Sequence, residues 1–214
     1  MNNTHPCTAR QRARIGAISL VLLLGACALP GPATRPAVYD FGPGALSATS
    51  SDSVTPRPAL VIEPVEAPAA LEGNAVLYRL AYADNQQLQP YALARWSMTP
   101  AQLLAQRLRE QLGQRYTVLK PGDGGAANAL TLRVELEEFS QLFATPTSSI
   151  GLLRLRATAT PAIAATGRKM AQRTFVMQHS ATSADAAGGV RALTQATDAT
   201  LQELDRWLQE LGRP

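Results

Sequence analysis

Cysteine and histidine are nearly absent from this chain. Two of each occur in 214 residues, and Cys7 and His5 fall in the first ten. Lysine is as scarce: Lys120 and Lys169 stand alone in a basic set that is otherwise arginine. These shortages exclude several chemistries. No HExxH is present, and no cluster has metal-ligand spacing. His179 has no acidic residue in a motif around it, so nothing points to a Ser-His-Asp triad. Gly122-Asp123-Gly124-Gly125 lacks the Lys-Ser/Thr of a phosphate loop and reads as a flexible connection. Glu135, Glu137 and Glu138 are the nearest approach to paired catalytic carboxylates. Alternation, however, puts Glu135 and Glu137 on a solvated face. An enzyme is not expected, and no cofactor or metal is called for.

The N-terminus carries the strongest signal present. Arg10, Arg12 and Arg14 form a basic flank without an acid nearby. Ile15 to Leu24 is an apolar run, too short for the roughly 20 residues that span a bilayer but suited to a signal-peptide core. It ends in Leu24-Gly25-Ala26-Cys27, a lipobox pattern: small residues present an extended backbone to the peptidase, and the cysteine thiol takes the diacylglycerol. Cleavage before Cys27 and lipid attachment there, palmitate included, are expected. Two or more acyl chains give stable anchoring, since each buried methylene contributes about 0.8 kcal/mol. Ala28 stands where inner-membrane retention in enteric bacteria places an Asp. That directs the expectation to the outer membrane, with the domain facing the periplasm.

Cleavage also changes the charge. It removes three of the 20 basic residues and none of the 16 acidic ones, leaving 17 against 16. The high pI therefore belongs partly to the signal peptide, and no concentrated basic field remains for nucleic acid. Net charge near zero permits a homo-oligomer without requiring one. With Cys7 removed and Cys27 acylated, no thiol is left for a disulfide or metal.

Three segments are expected: a signal peptide over 1–26, a lipidated flexible tether over 27–57, and one folded domain over 58–214. Pro30, Pro32, Pro36, Pro43 and Pro56 alternate with small residues in the tether, which has too little apolar area to offset its ordering entropy. Its reach as a flexible coil is roughly 30 Å. Val38-Tyr39-Asp40-Phe41 is an apolar island within it, suited to a short docked strand.

In the domain, Leu60-Val61-Ile62 reads as a buried strand. Val76, Tyr78, Leu80 and Tyr82 alternate with Leu77, Arg79 and Ala81, the period of a strand. Asp84-Asn85-Gln86 supplies a turn, and Leu88 to Leu93 returns, with Pro90 arguing for an edge. Thr99, Pro100 and Gln102 are an N-cap, a first helical residue and a capping box. Ala101, Leu104, Leu108 and Leu112 form the helix stripe. Gly113 is expected to stop it in a left-handed conformation. Tyr116 to Leu119 is a short strand.

Leu130, Leu132, Val134 and Leu136 alternate with Thr131, Arg133, Glu135 and Glu137. Leu153, Leu155, Ala157 and Ala159 alternate with Arg154, Arg156, Thr158 and Thr160. These suit antiparallel neighbours with one face in water, favoured by about a few tenths of a kcal/mol where Arg opposes Glu. A turn at Thr166-Gly167 leads to a strand over about Met170 to Gln178. Val190, Leu193, Leu201, Leu204, Leu208 and Leu211 form a second helical stripe, closed by Gly212. The fold class expected is α+β: a two-layer sandwich, mainly antiparallel, with two amphipathic helices on one face.

Ordered features from Tyr39 onward resemble the ABC-type transport auxiliary lipoprotein family. They are Tyr39-Asp40-Phe41 after the lipobox, Leu60-Val61-Ile62-Glu63-Pro64-Val65-Glu66-Ala67-Pro68, Ala75-Val76-Leu77-Tyr78-Arg79, and Tyr91-Ala92-Leu93-Ala94-Arg95-Trp96-Ser97 before a helix that opens with proline. Ser97-Met98-Thr99 departs from the family pattern, which more often has a small residue and an acid or proline there. The resemblance implies a non-catalytic outer-membrane component of an ABC transporter whose substrate-binding protein carries a mammalian-cell-entry domain and which moves lipids or other hydrophobic molecules.

Tyr78, Arg79, Tyr82, Tyr91, Arg95 and Trp96 are the candidate partner-binding residues, since Trp, Tyr and Arg are enriched at interface hot spots. The competing role for Tyr78 and Tyr82 is core, and for Trp96 it is to plug the entry to the helix. Arg79 and Arg95 suit the surface, because arginine is seldom fully buried unpaired. A different binding class, a lipoprotein regulator or assembly factor for an envelope enzyme or secretin, also fits a tethered domain without chemistry. Carriage of a lipid by the domain itself is a third reading, and it requires a cavity between sheet and helices.

Overall fold

The computed structural model describes residues 34–44, 57–162 and 169–212. Cys27 and the Thr166-Gly167 turn lie outside the described residues. Residues 36–214 cluster as one compact unit. Its strands are β1 (Ala37–Tyr39), β2 (Ala59–Ile62), β3 (Ala75–Leu80), β4 (Asp84–Trp96), β5 (Thr117–Leu119), β6 (Leu130–Thr145), β7 (Ser148–Thr160) and β8 (Ala171–Ser180). Its helices are α1 (Pro100–Leu112) and α2 (Ala186–Gly212). Short 3-10 turns occupy Ala69–Leu71 and Ala126–Asn128.

All eight strands join one sheet, organised around β6. One edge of this 16-residue strand pairs antiparallel with β7, which pairs antiparallel with β8. The other edge is filled in sequence by a single stretch of chain. β2 runs parallel to Leu130–Leu132, the Glu63 and Glu66 backbones bond Leu132, Val134 and Leu136, and β3 runs parallel to Gln141–Phe143. A β3–β4 hairpin then carries β1 parallel to the end of β4, and β5 lies parallel to β2.

The α+β class and the two helices are as expected, but the sheet is not mainly antiparallel. Four of its seven strand pairings among the described residues are parallel. Alternation reports which face of a strand is buried and carries no information on direction. Here the chain returns by crossovers, the longest through α1, and a crossover is what a parallel neighbour needs.

The buried face of β6 and β7 is the one that alternation marks. Leu132, Val134, Leu136, Leu153, Leu155, Ala157 and Ala159 are all buried. A register shift at Leu136/Glu138 moves the inward position to Phe139, as expected of a bulge. Against this face α2 lays Val190, Leu193, Ala196, Leu201, Leu204 and Leu208, with α1 adding Leu103, Leu104, Leu108 and Leu112 to the same core. Trp207 completes the α2 stripe, its ring 5.9 Å from that of Phe175. Thr197 and Thr200 are fully buried in the stripe because each hydroxyl donates to the carbonyl four residues back, which satisfies it within the helix.

Thr99 and Gln102 form the reciprocal capping box, and Pro100 is the first helical residue. Gly113 differs from expectation: its φ and ψ are −60° and −18°, right-handed. The last carbonyls of α1 are instead taken by the successive N–H groups of Gly113, Gln114, Arg115 and Tyr116, so no left-handed residue is needed.

Two glycines set the approach of α2 to the sheet. A Cβ on Gly151 would lie 2.6 Å from the Ala192 carbonyl carbon and the Leu193 nitrogen, and one on Gly189 would collide with the Gln141 amide. Gly151→Ala should therefore lower stability by about 1–3 kcal/mol, read as a reduced urea midpoint with an unchanged m-value.

Candidate partner-binding surface

The β3–β4 hairpin holds all six candidate residues, and the structure divides them. Trp96 is 1% exposed. Its ring sits 5.6 Å from Phe41 and 5.5 Å from Phe139, so it supports the hairpin from behind. Every second residue of the strand end faces inward, which takes Ala94 and Trp96 into the core and leaves Leu93 and Arg95 outside.

Tyr78 and Tyr91 are half-buried and stack on each other at 4.6 Å. The Tyr78 hydroxyl donates to Gln89 (2.8 Å) and that of Tyr91 to the Gln141 carbonyl oxygen (2.8 Å), whose amide donates in turn to Ser149 Oγ (2.7 Å). Gln141 is fully buried, and this chain satisfies it. Burial, then the neighbouring Tyr78 and Asp185, pushes the Tyr91 phenol up to about 12. Asp185 precedes α2, and its carboxylate accepts from Gly188 N–H and Ser183 Oγ at 2.7 Å each; these bonds hold it below the usual range.

Arg79 is pinned: it pairs with Glu138 at 3.0 Å and reaches the Asn85 and Gln86 carbonyls. Tyr82, at the hairpin turn, is 47% exposed. Arg95 is exposed and lies opposite Val38 of β1 in register. Val38 is 61% exposed and Leu93 53%. The outward positions therefore form a small apolar patch with one arginine in it. Val38 and Leu93 escaped the sequence reading because each sits in a short apolar run. Only the pairing of β1 with β4 shows that their faces are uncovered.

The island at Val38–Phe41 is part of the fold. β1 bonds β4, the Tyr39 carbonyl accepts from Ser97 N–H (2.7 Å), and Arg107 Nη2 donates to the Phe41 carbonyl. Arg107 is itself buried in α1. Its Nε lies 3.0 Å from Asp198 of α2, an ion pair outside hydrogen-bond angles. Burial pushes the Asp198 carboxyl up against the pull of Arg107. One guanidinium thus joins the N-terminal segment and both helices. No spacing rule pairs residues 41, 107 and 198, so the sequence reading missed it.

The sheet's open face carries Glu135 and Glu137, as expected of a solvated face. Arg156 lies 3.6 Å from Glu135 and also pairs with Glu137, Arg154 lies 3.2 Å from Glu137, and Arg133 bridges Glu66 (2.8 Å) and Glu135 (3.5 Å). Among the described residues, no group of His, Cys, Asp and Glu is placed to hold a metal ion, and no helix is long and apolar enough to cross a membrane.

Residues 39–205 match the model of the ABC-type transport auxiliary lipoprotein component family, and the chain belongs to that family. The description is of an accessory to transport, not of a catalyst. The fold is similar to that of a Xanthomonas campestris protein assigned to family DUF330, with TM-score 0.60 and 17% identity over 86% of this chain and 91% of that one. It is similar also to an uncharacterized protein of known structure, with TM-score 0.61 and 17% identity over 81% and 99%. No curated protein matches.

Two outcomes are expected. Trp96→Ala should cost about 3–5 kcal/mol of stability, seen in thermal or urea unfolding. Between pH 10 and about 12 the unfolded chain loses the Tyr91 proton while the folded chain keeps it. The Tyr91 contribution to stability is therefore full below pH 10 and is lost as pH rises through this window. In an ultraviolet titration of phenol ionisation, Tyr91→Phe should remove a late-titrating tyrosine.

Proposed function

We propose that this chain is an outer-membrane lipoprotein, acylated at Cys27, that docks the periplasmic part of an ABC transporter whose substrate-binding protein carries a mammalian-cell-entry domain. Such a system moves lipids or other hydrophobic molecules across the envelope. Family membership over residues 39–205 carries this reading. The surface of the β1–β4 limb supports it: Leu93 and Val38 are large exposed apolar side chains, and Arg95 lies beside them, opposite Val38 in register. Apolar contacts beside an arginine suit a protein partner. The docked β1 also limits the spacing. Nine residues lie between Cys27 and Ala37, a span of at most about 35 Å when fully extended, so the domain works close to the lipid surface.

Crosslinking in intact cells tests the proposal. A photoreactive residue at Leu93 should capture a mammalian-cell-entry protein. Arg95→Glu together with Val38→Asp, with the photoreactive residue kept at position 93, should lower that capture about tenfold or more while the chain stays folded and membrane-bound. Reproducible capture of a cell-wall synthase or secretin instead, with no transporter component, would overturn it.

A further inference from the structure

At the end of the sheet farthest along α2 there is a cavity of about 910 Å³. Its walls come from four elements: Ala59 at the start of β2, Leu130 at the start of β6, Ala159 and Pro161 at the end of β7, and Leu208 and Leu211 in the last turns of α2. The volume falls within the roughly 300–1,000 Å³ of small-ligand sites, which pair an apolar lining with a few convergent polar groups. It opens between the sheet and α2, as carriage of a lipid by the domain requires.

The polar residues at its margin are of two kinds. Arg115 and Gln209 also line the cavity, but both are committed to Asp205, at 3.3 and 2.9 Å. Tyr116, Asn128 and Lys169 line it as well, and their side chains make no hydrogen bond or ion pair among the described residues. Tyr116 is nonetheless buried. Burial, then Asp205, pushes its phenol up, which keeps it protonated as a donor. Lys169 is exposed and supplies an uncommitted positive charge. An apolar volume edged by one free ammonium and neutral hydrogen-bonding groups is complementary to a chain of methylenes ending in an anion. A concave site of this size suits a small molecule better than a protein surface, which docks on broader, flatter areas.

We propose that this cavity takes one acyl chain of an anionic amphiphile, a fatty acid or a lysophospholipid, with Lys169 beside the charged head. The site lies on β2, β6, β7 and α2, whereas the docking patch lies on β1 and β4. A transporter accessory could dock without holding lipid, so neither proposal depends on the other.

The test uses membranes containing the full chain, treated in vitro with a palmitate that carries a diazirine near its methyl end. After irradiation the chain is purified and its labelled peptides are identified by mass spectrometry. Label should concentrate on peptides holding Ala159–Ala162 and Leu208–Leu211, and excess unlabelled palmitate or lysophosphatidate should displace it. Whichever competes better identifies the head group. Leu211→Trp, which fills the cavity from a half-buried position, should cut the label at least fivefold. Lys169→Glu, at an exposed position, should cut it at least threefold while leaving label from the diazirine methyl ester unchanged. Both variants are checked for a wild-type melting curve. Label scattered over the surface, failure of both competitors, or wild-type labelling in either variant overturns the proposal. Capture of a transporter component at Leu93 would be untouched by that failure.

Discussion

Hydrogen bonding along both edges of β6 is the constraint from which the rest of this fold follows. A strand of sixteen residues carries a long row of donors and acceptors, and burying it leaves little room for unpaired ones. β7 covers one edge almost throughout. On the other edge β2, the Glu63–Glu66 backbone and β3 follow one another without reversing direction. That succession makes the pairings parallel, places the β3–β4 hairpin beyond the C-terminal half of β6, and leaves β2 and β5 beside its N-terminal half. The two regions proposed to act on other molecules lie on these two limbs.

The sheet's faces divide the energetics. Leucines, alanines and Phe139 on one face meet both helices, and close approach at Gly151 and Gly189 lets α2 settle on the strands. The other face presents arginines and glutamates in alternating pairs. Exposed ion pairs add little stability each, but they keep a broad sheet face soluble and discourage unselective association. Exposed apolar side chains occur at Val176 of β8 and at Val38 and Leu93, on the limb farthest from the α2–β7 contact. Arg107 ties that limb down by holding the Phe41 carbonyl from α1 while paired with Asp198 of α2. The N-terminal segment is part of the fold from β1 onward.

Much of the chain was legible in the sequence because local rules suffice for local features. Alternation gave the buried faces of β6 and β7. Capping chemistry at Thr99, Pro100 and Gln102 gave the start of α1, and the leucine spacing gave the stripe of α2. The ordered motifs from Tyr39 to Ser97 gave the family. The basic flank, short apolar run and small residues before Cys27 support lipid attachment without reference to any fold. Among the site residues, Arg95 and Tyr82 lie at the surface, whereas Trp96, the most conspicuous side chain of its motif, is core. Residue type identifies hot-spot chemistry, but exposure depends on what stands behind each strand.

The sequence by itself thus determined the number and amphipathic sense of the main elements, the α+β class and the scarcity of reactive side chains, all properties written in neighbouring residues. Only the tertiary structure decided strand direction, the right-handed end of α1, the Arg107 junction of residues 41, 107 and 198, the uncovered faces of Val38 and Leu93, and the cavity between β2, β7 and the end of α2. Each depends on groups far apart along the chain, brought together by the closure of one sheet around β6, and no short-range pattern encodes a distance between them.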